Sequence, residues 1–135
     1  DDAVGARWEA ALERASGEIV DHFRHGHAVG LTLGAIFEFN SRVTDADAAD
    51  PRGAEFTRAR ISELCRLFDC VDAAGARDKL QGLMTSIGLE TRLGRLGVKR
   101  GDLPALVGAM NEERLSNNPR KVTTSAVRAI LEKIY

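Results

Sequence analysis

The sequence has almost no strand signal, few cysteines, no long apolar run and no excess of charge of one sign. Only the short regions around Val98 and Val122 favour an extended chain, so a sheet-based fold is excluded and an all-α chain is expected. The two cysteines, Cys65 and Cys70, are too few for a disulfide framework. If one helix runs through both, they point in different directions and cannot easily bridge. Thiols without a framework fit a reducing compartment, and the expected location is cytoplasmic. No apolar stretch is long enough to span a bilayer, and no signal-peptide pattern is present. Lys and Arg number 19 against 20 Asp and Glu, a formal net charge of -1. Arginine alternates with acidic residues and forms no basic block, so neither nucleic acid nor an acidic membrane is an expected partner. A strand–glycine-turn–helix unit, the mark of a dinucleotide-binding domain, is also missing.

What is present fits one helical domain over residues 1–135. The chain is long enough to bury a core without disulfides or metal, and its 44% hydrophobic and 29% charged residues are ordinary globular values. It starts at Asp1 without an initiator Met, as a piece of a larger protein would. Trp8, Ala11, Leu12, Ala15 and Ile19 recur at helical spacing and predict a first helix from Ala3 to about Val20. This stripe is either core or a face that lies against a further domain. A second, central helix is expected from His27 to Phe39, with Val29, Leu33, Ile36 and Phe37 as its main inward face, widened by Leu31 and Phe39. Residues 42–53 read as a polar loop. A third helix is expected from Ala54 to Phe68, with Ile61, Leu64, Cys65 and Phe68 on one side. A fourth runs from Ala73 to Ser86, capped by Asp72, with Leu80, Leu83, Met84 and Ile87 inward and Gly88 at its end. Leu93 to Val98 is a turn-rich connector. Asp102 and Pro104 open a fifth helix with Leu103, Leu106, Val107 and Met110 inward. Asn117-Asn118-Pro119-Arg120 is a turn. Thr123 or Thr124 caps a last helix with Val127, Ile130, Leu131 and Ile134 inward. The expected architecture is a multi-helix bundle.

All three histidines, His22, His25 and His27, lie beside Gly26, just before the apolar central helix. In a continuous helix Glu18, His22 and His25 share one face, because i, i+4 and i+7 align. Imidazole and carboxylate are good ligands for zinc or iron. His27 joins them only if Gly26 turns the chain, and Asp21 could orient His25 through a hydrogen bond. Equally, these are helix-end histidines with no ligand, and Gly26 is either a helix break or a point where a cofactor comes close. Arg120 could meet a carboxylate or phosphate, or could be a solvated residue at a helix end.

Several motifs together resemble the C-terminal helical domain of the iron-containing (group III) alcohol dehydrogenases, a superfamily that includes dehydroquinate synthase and glycerol dehydrogenase. They are His25-Gly26, Ala28, Leu33 and Phe39-Asn40, then Gly88-Leu89, Leu93, Leu96-Gly97-Val98, Asp102-Leu103-Pro104-Ala105-Leu106, Asn117-Asn118-Pro119-Arg120 and Tyr135, in order from about Phe23 to Tyr135. The resemblance implies a two-part enzyme. An α/β domain binds NAD(P), and the helical domain gives an aspartate and three histidines to a divalent metal, iron or zinc. The metal polarises the substrate oxygen while hydride passes to the nicotinamide. His25 matches the family's last metal histidine, and no histidine here precedes His22.

The expected function is therefore the metal- and substrate-binding half of an NAD(P)-dependent oxidoreductase interconverting alcohol and aldehyde or ketone. It would be inactive alone and would need a nucleotide-binding domain in cis or in trans. The alternative is a stand-alone helical domain that has lost redox chemistry and serves as a binding or assembly module, oligomeric through an exposed apolar face. A third reading is a small enzyme using the histidines for acid–base work.

Overall fold

A computed structural model of the chain describes residues 25–109 and 115–135, with side chains from residue 26 onward. The stripe from Ala3 to Val20 and Met110 lie outside the described residues. Five α-helices are present among them: α1 (His25–Ser41), α2 (Gly53–Leu67), α3 (Ala73–Ser86), α4 (Leu103–Gly108) and α5 (Thr124–Lys133), with 3-10 turns at Leu93–Leu96 and Arg100–Asp102. Among the described residues there is no strand, and the one isolated bridge pairs Ala48 with Arg120. The all-α expectation holds.

The central helix is α1, which packs on α2, α3 and α5. Its closest approach is to α3. A methyl group placed on Gly30 would lie 3.1 Å from the Met84 side chain, and one on Gly34 would lie 2.8 Å from that of Arg77. Position 30 meets 84 while 34 meets 77, so the two helices run antiparallel. This closeness explains why the buried face of α1 differs in part from the expected one. Val29 and Leu33 are nearly half exposed and Ala28, Ala35 and Glu38 are buried, while Leu31 is buried and Ile36, Phe37 and Phe39 pack against the core as expected. Glycine lets the neighbouring helix in, so the side bearing Gly30 and Gly34 faces α3 while Val29 and Leu33 turn outward. On α3, Met84 is buried as expected together with Ala73 and Ala76, while Leu83 and Ile87 are exposed. On α2, Ala54, Thr57, Ile61 and Cys65 are buried, and Leu64 and Phe68 are exposed.

The main core joins Leu31, Ala35 and Met84 to Leu93, Val98, Leu103 and Leu106, and to Val127, Ile130, Leu131 and Ile134 of α5. A second cluster holds Ile61, Cys65, Ala73 and Ala76, with Phe37 against it. Gly26 is the second residue of α1 and lies within the helix. Asp72 caps α3, its carboxylate accepting from the Gly75 N–H at 2.8 Å, and Thr123 caps α5 through the Ala126 N–H at 3.2 Å. Gly88 and Gly97 take the left-handed conformation, with φ of 80° and 85°, which costs glycine no side-chain clash. Asp102 differs from expectation: its carboxylate accepts from the Lys99 N–H at 3.0 Å and gives α4 no cap bond.

The end of α2 lies within one residue of the expected Phe68. The helix stops at Leu67, and Asp69 adopts φ 52°. The Asp69 N–H then donates to Arg66 O at 3.0 Å and the Cys70 N–H to Cys65 O at 2.8 Å, the paired bonds of a Schellman stop. The two cysteines therefore do not share one helix.

Candidate functional site

The histidine segment sits at the first turn of α1. His22 and Asp21 lie outside the described residues, and His25 is described in its backbone alone, as the first residue of α1. Gly26 follows on the exposed side, and a Cβ added to it would meet nothing within 4 Å. His27 is buried, its Nε2 2.6 Å from the carbonyl oxygen of Glu90. A carbonyl only accepts, so Nε2 carries the proton. This bond ties the start of α1 to the segment that leaves α3 past Gly88. Proton placement by a carbonyl partner is how proteins fix an imidazole tautomer. Among the described residues no three His, Cys, Asp or Glu side chains gather closely enough to hold a metal ion. A complete donor set would have to draw on His25, His22 and residues outside the described ones.

Further along α1 the buried charge is Glu38. Its Oε1 accepts from Arg42 at 2.5 Å, and its Oε2 accepts from Arg77 at 2.6 Å and from Lys133 at 2.5 Å. Burial raises the carboxyl pKa, but the Lys133 and Arg77 hydrogen bonds and charges outweigh it and hold Glu38 below the usual carboxylate range. Arg77 also bonds Asp78. Every polar atom of the Glu38 side chain is thus engaged, and α1, α3 and α5 are pinned at one point. Position and residue type in the sequence did not separate this carboxylate from an ordinary helix-end charge. The available signal was a single acid in an otherwise uncharged helix.

The turn at Asn117-Asn118-Pro119-Arg120 closes on the C-terminal end of α1. The amides of Asn40 and Asn118 bond each other reciprocally, at 2.9 and 2.7 Å, and Asn118 also donates to Arg120 O at 2.6 Å. Arg120 donates from Nε to Asp47 at 2.7 Å and from Nη1 to Phe39 O at 2.8 Å, and lies 4.2 Å over the Phe39 ring. Arg120 therefore meets a carboxylate of its own chain. The Thr44 amide and the Arg120 guanidinium hold the Asp47 carboxyl down at about 2. These motif residues organise the backbone around α1.

On the other side of the α1–α3 seam, Val29, Leu33, Leu83 and Ile87 remain exposed. In an antiparallel pair, positions one residue before the contact line on each helix face the same side. Val29 and Leu33 precede Gly30 and Gly34, and Leu83 precedes Met84, so these three exposed residues lie on one side of the seam. Among the described residues no helix is long and apolar enough to cross a membrane.

The model of the Fe-containing alcohol dehydrogenase family, C-terminal, matches residues 16–135. Phosphonoacetaldehyde reductase of Streptomyces viridochromogenes is 32% identical over 107 residues, covering 79% of this chain and 26% of that relative. The chain thus spans about a quarter of the length of the curated relative it matches. No solved structure matches it significantly.

Proposed function

Since the chain belongs to the Fe-containing alcohol dehydrogenase family through that family's C-terminal domain, we propose that it is the metal- and substrate-binding part of an NAD(P)-dependent oxidoreductase acting on a small alcohol or aldehyde. The observation that carries this reading is the family match over residues 16–135, which takes in His22, His25, Gly26 and His27. The relative's name adds aldehyde reduction as the favoured direction. His25, at the first residue of α1, is the proposed metal ligand, with His22 and His27 as further candidates and Asp21 as the group that orients His25. A bound divalent metal, iron or zinc, supplies Lewis-acid stabilisation of charge on the substrate oxygen, and hydride transfer belongs to NAD(P). Gly26, with open space where a side chain would be, is the proposed point of close approach for the cofactor. The nucleotide-binding domain comes from outside these residues, in cis or in trans.

The test is metal content and NAD(P)H-dependent aldehyde reduction by the full protein, compared with His25→Ala. The expected result is loss of the metal and catalytic efficiency lowered about 100-fold or more. Equal metal content in both proteins removes His25 as a ligand. A second reading, an assembly module without redox chemistry, is favoured by the exposed apolar residues Val29, Leu33, Leu83 and Ile87. Under that reading the full protein oligomerises and stays inactive with NAD(P)H and every small aldehyde tried. Light-scattering mass and a reductase assay on one sample separate the two.

A further inference from the structure

We propose that Cys65 and Cys70 form a reversible intramolecular disulfide when the protein meets hydrogen peroxide, which makes the end of α2 an oxidation site. The argument begins with the backbone. The Cys70 N–H lies 2.8 Å from the Cys65 oxygen. Standard bond lengths then limit the two Cα atoms to a separation of at most about 6.7 Å. That falls inside the window a disulfide requires, about 4.4–6.8 Å. A Schellman stop frequently brings the side chains of these two positions into contact. Cys70 packs against the small cluster that contains Cys65, so both thiols sit against the same apolar neighbours. Both are free thiols in this structure.

Their environments divide the work. Cys70 is partly exposed, and its Sγ donates to Phe68 O at 3.3 Å. Cys65 is buried, and burial, with the nearby Cys70 and Asp72, pushes its thiol up. Cys70 is therefore the sulfur that meets peroxide, and Cys65 is the sulfur that resolves it. The Cys70 thiolate attacks one peroxide oxygen, the O–O bond breaks, and the departing hydroxide takes a proton to leave as water. Cys70 is then a sulfenic acid. The Cys65 sulfur attacks the Cys70 sulfur, the S–S bond forms and the S–O bond breaks. The second hydroxide leaves as water with the Cys65 proton. Two thiols lose two electrons and one peroxide becomes two waters.

The sequence provides a direct readout. Trypsin cleaves after Arg60, Arg66 and Arg77, so Cys65 falls in peptide 61–66 and Cys70 in peptide 67–77. The full protein is treated with a small excess of hydrogen peroxide, blocked with iodoacetamide, and run on a non-reducing gel. The monomer band is then digested without reductant. The expected result is the two peptides joined, with a mass 2 Da below their sum, and released by dithiothreitol. Cys70→Ser should leave Cys65 unoxidised under the same treatment, recovered as the alkylated thiol. Sulfinic acid on Cys70 with Cys65 still alkylated would overturn the proposal. So would linkage confined to a dimer band.

Discussion

The Glu38 carboxylate and the Lys133 ammonium stand 95 positions apart in the chain and 2.5 Å apart in space. With Arg77 at 2.6 Å from the same oxygen, they fix α1, α3 and α5 to one another through a single buried acid. Removing the acid leaves three cations facing each other without their counter-charge. Glu38→Ala should therefore cost about 3 kcal/mol in urea-unfolding stability, the lower end for breaking a buried pair from one side. Lys133→Ala should cost about 1 kcal/mol or less, because its side chain is 40% exposed and Arg42 and Arg77 still serve the carboxylate. Equal losses in the two variants would contradict this division.

Glu38 also sets an acid limit. Its folded pKa lies below the ordinary value of 4.5. A depressed carboxyl stabilises the fold above the unfolded pKa, and that contribution disappears as pH falls through the folded pKa. Stability measured by urea titration should accordingly be level above about pH 5 and fall below 4.5. Glu38→Gln should start lower and decline less steeply in the same acid range. Parallel curves for the two proteins would place the acid sensitivity elsewhere.

The two glycines of α1 that carry different burdens should answer differently to one methyl group. Gly34→Ala forces a carbon to within 2.8 Å of the Arg77 side chain and 3.2 Å of its backbone. Overpacking of this kind costs about 1–3 kcal/mol, and thermal denaturation would read it. Gly26→Ala meets open space and should hold or raise stability by up to about 1 kcal/mol, since alanine is the better helix former. If the cofactor passes close to Gly26, that variant keeps its fold while KM for NAD(P)H rises. Unchanged kinetics would remove Gly26 from the cofactor path.

Arg120→Lys keeps the charge and loses the geometry. A lysine cannot reach Asp47 and Phe39 O while lying flat on the Phe39 ring. The expected cost is about 1–2 kcal/mol of stability. A silent substitution in chemical denaturation would mean that the clamp rests on the Asn40–Asn118 amide pair alone.

Much of the architecture was legible because it rests on local chemistry. The Asp72 and Thr123 caps, the glycine stop at Gly88 and the α5 stripe of Val127, Ile130, Leu131 and Ile134 follow from residue type and spacing. The buried faces of α1 and α3 followed only in part, with Leu31 and Met84 buried as expected. Side-chain size marked Val29, Leu33, Leu83 and Ile87 as inward, whereas the close helix contact is made by Gly30 on Met84 and Gly34 on Arg77. Periodicity finds a stripe but does not tell a core stripe from an uncovered one. The turn just beyond α2 was missed for another reason. Asp69 turns left-handed with no glycine or proline to announce it, and that one residue brings Cys65 and Cys70 together. At the candidate site, the motif around His25 was readable as a family pattern. The Glu38 cluster and the Asn40–Asn118 pair depend on partners dozens of residues away, which no local window contains.

The polar stretch between α1 and α2 has the composition of a vulnerable loop, yet it is fastened along its length. Ala49 and Asp50 donate to Pro119 O, Lys121 donates to Asp47 O, and Arg58 holds Val43 O. A protease must draw out several residues of extended backbone before it can cut. Aspartate-directed cleavage between Asp45 and Asp50 should thus report the opening of the whole clamp rather than the wandering of a loose surface segment.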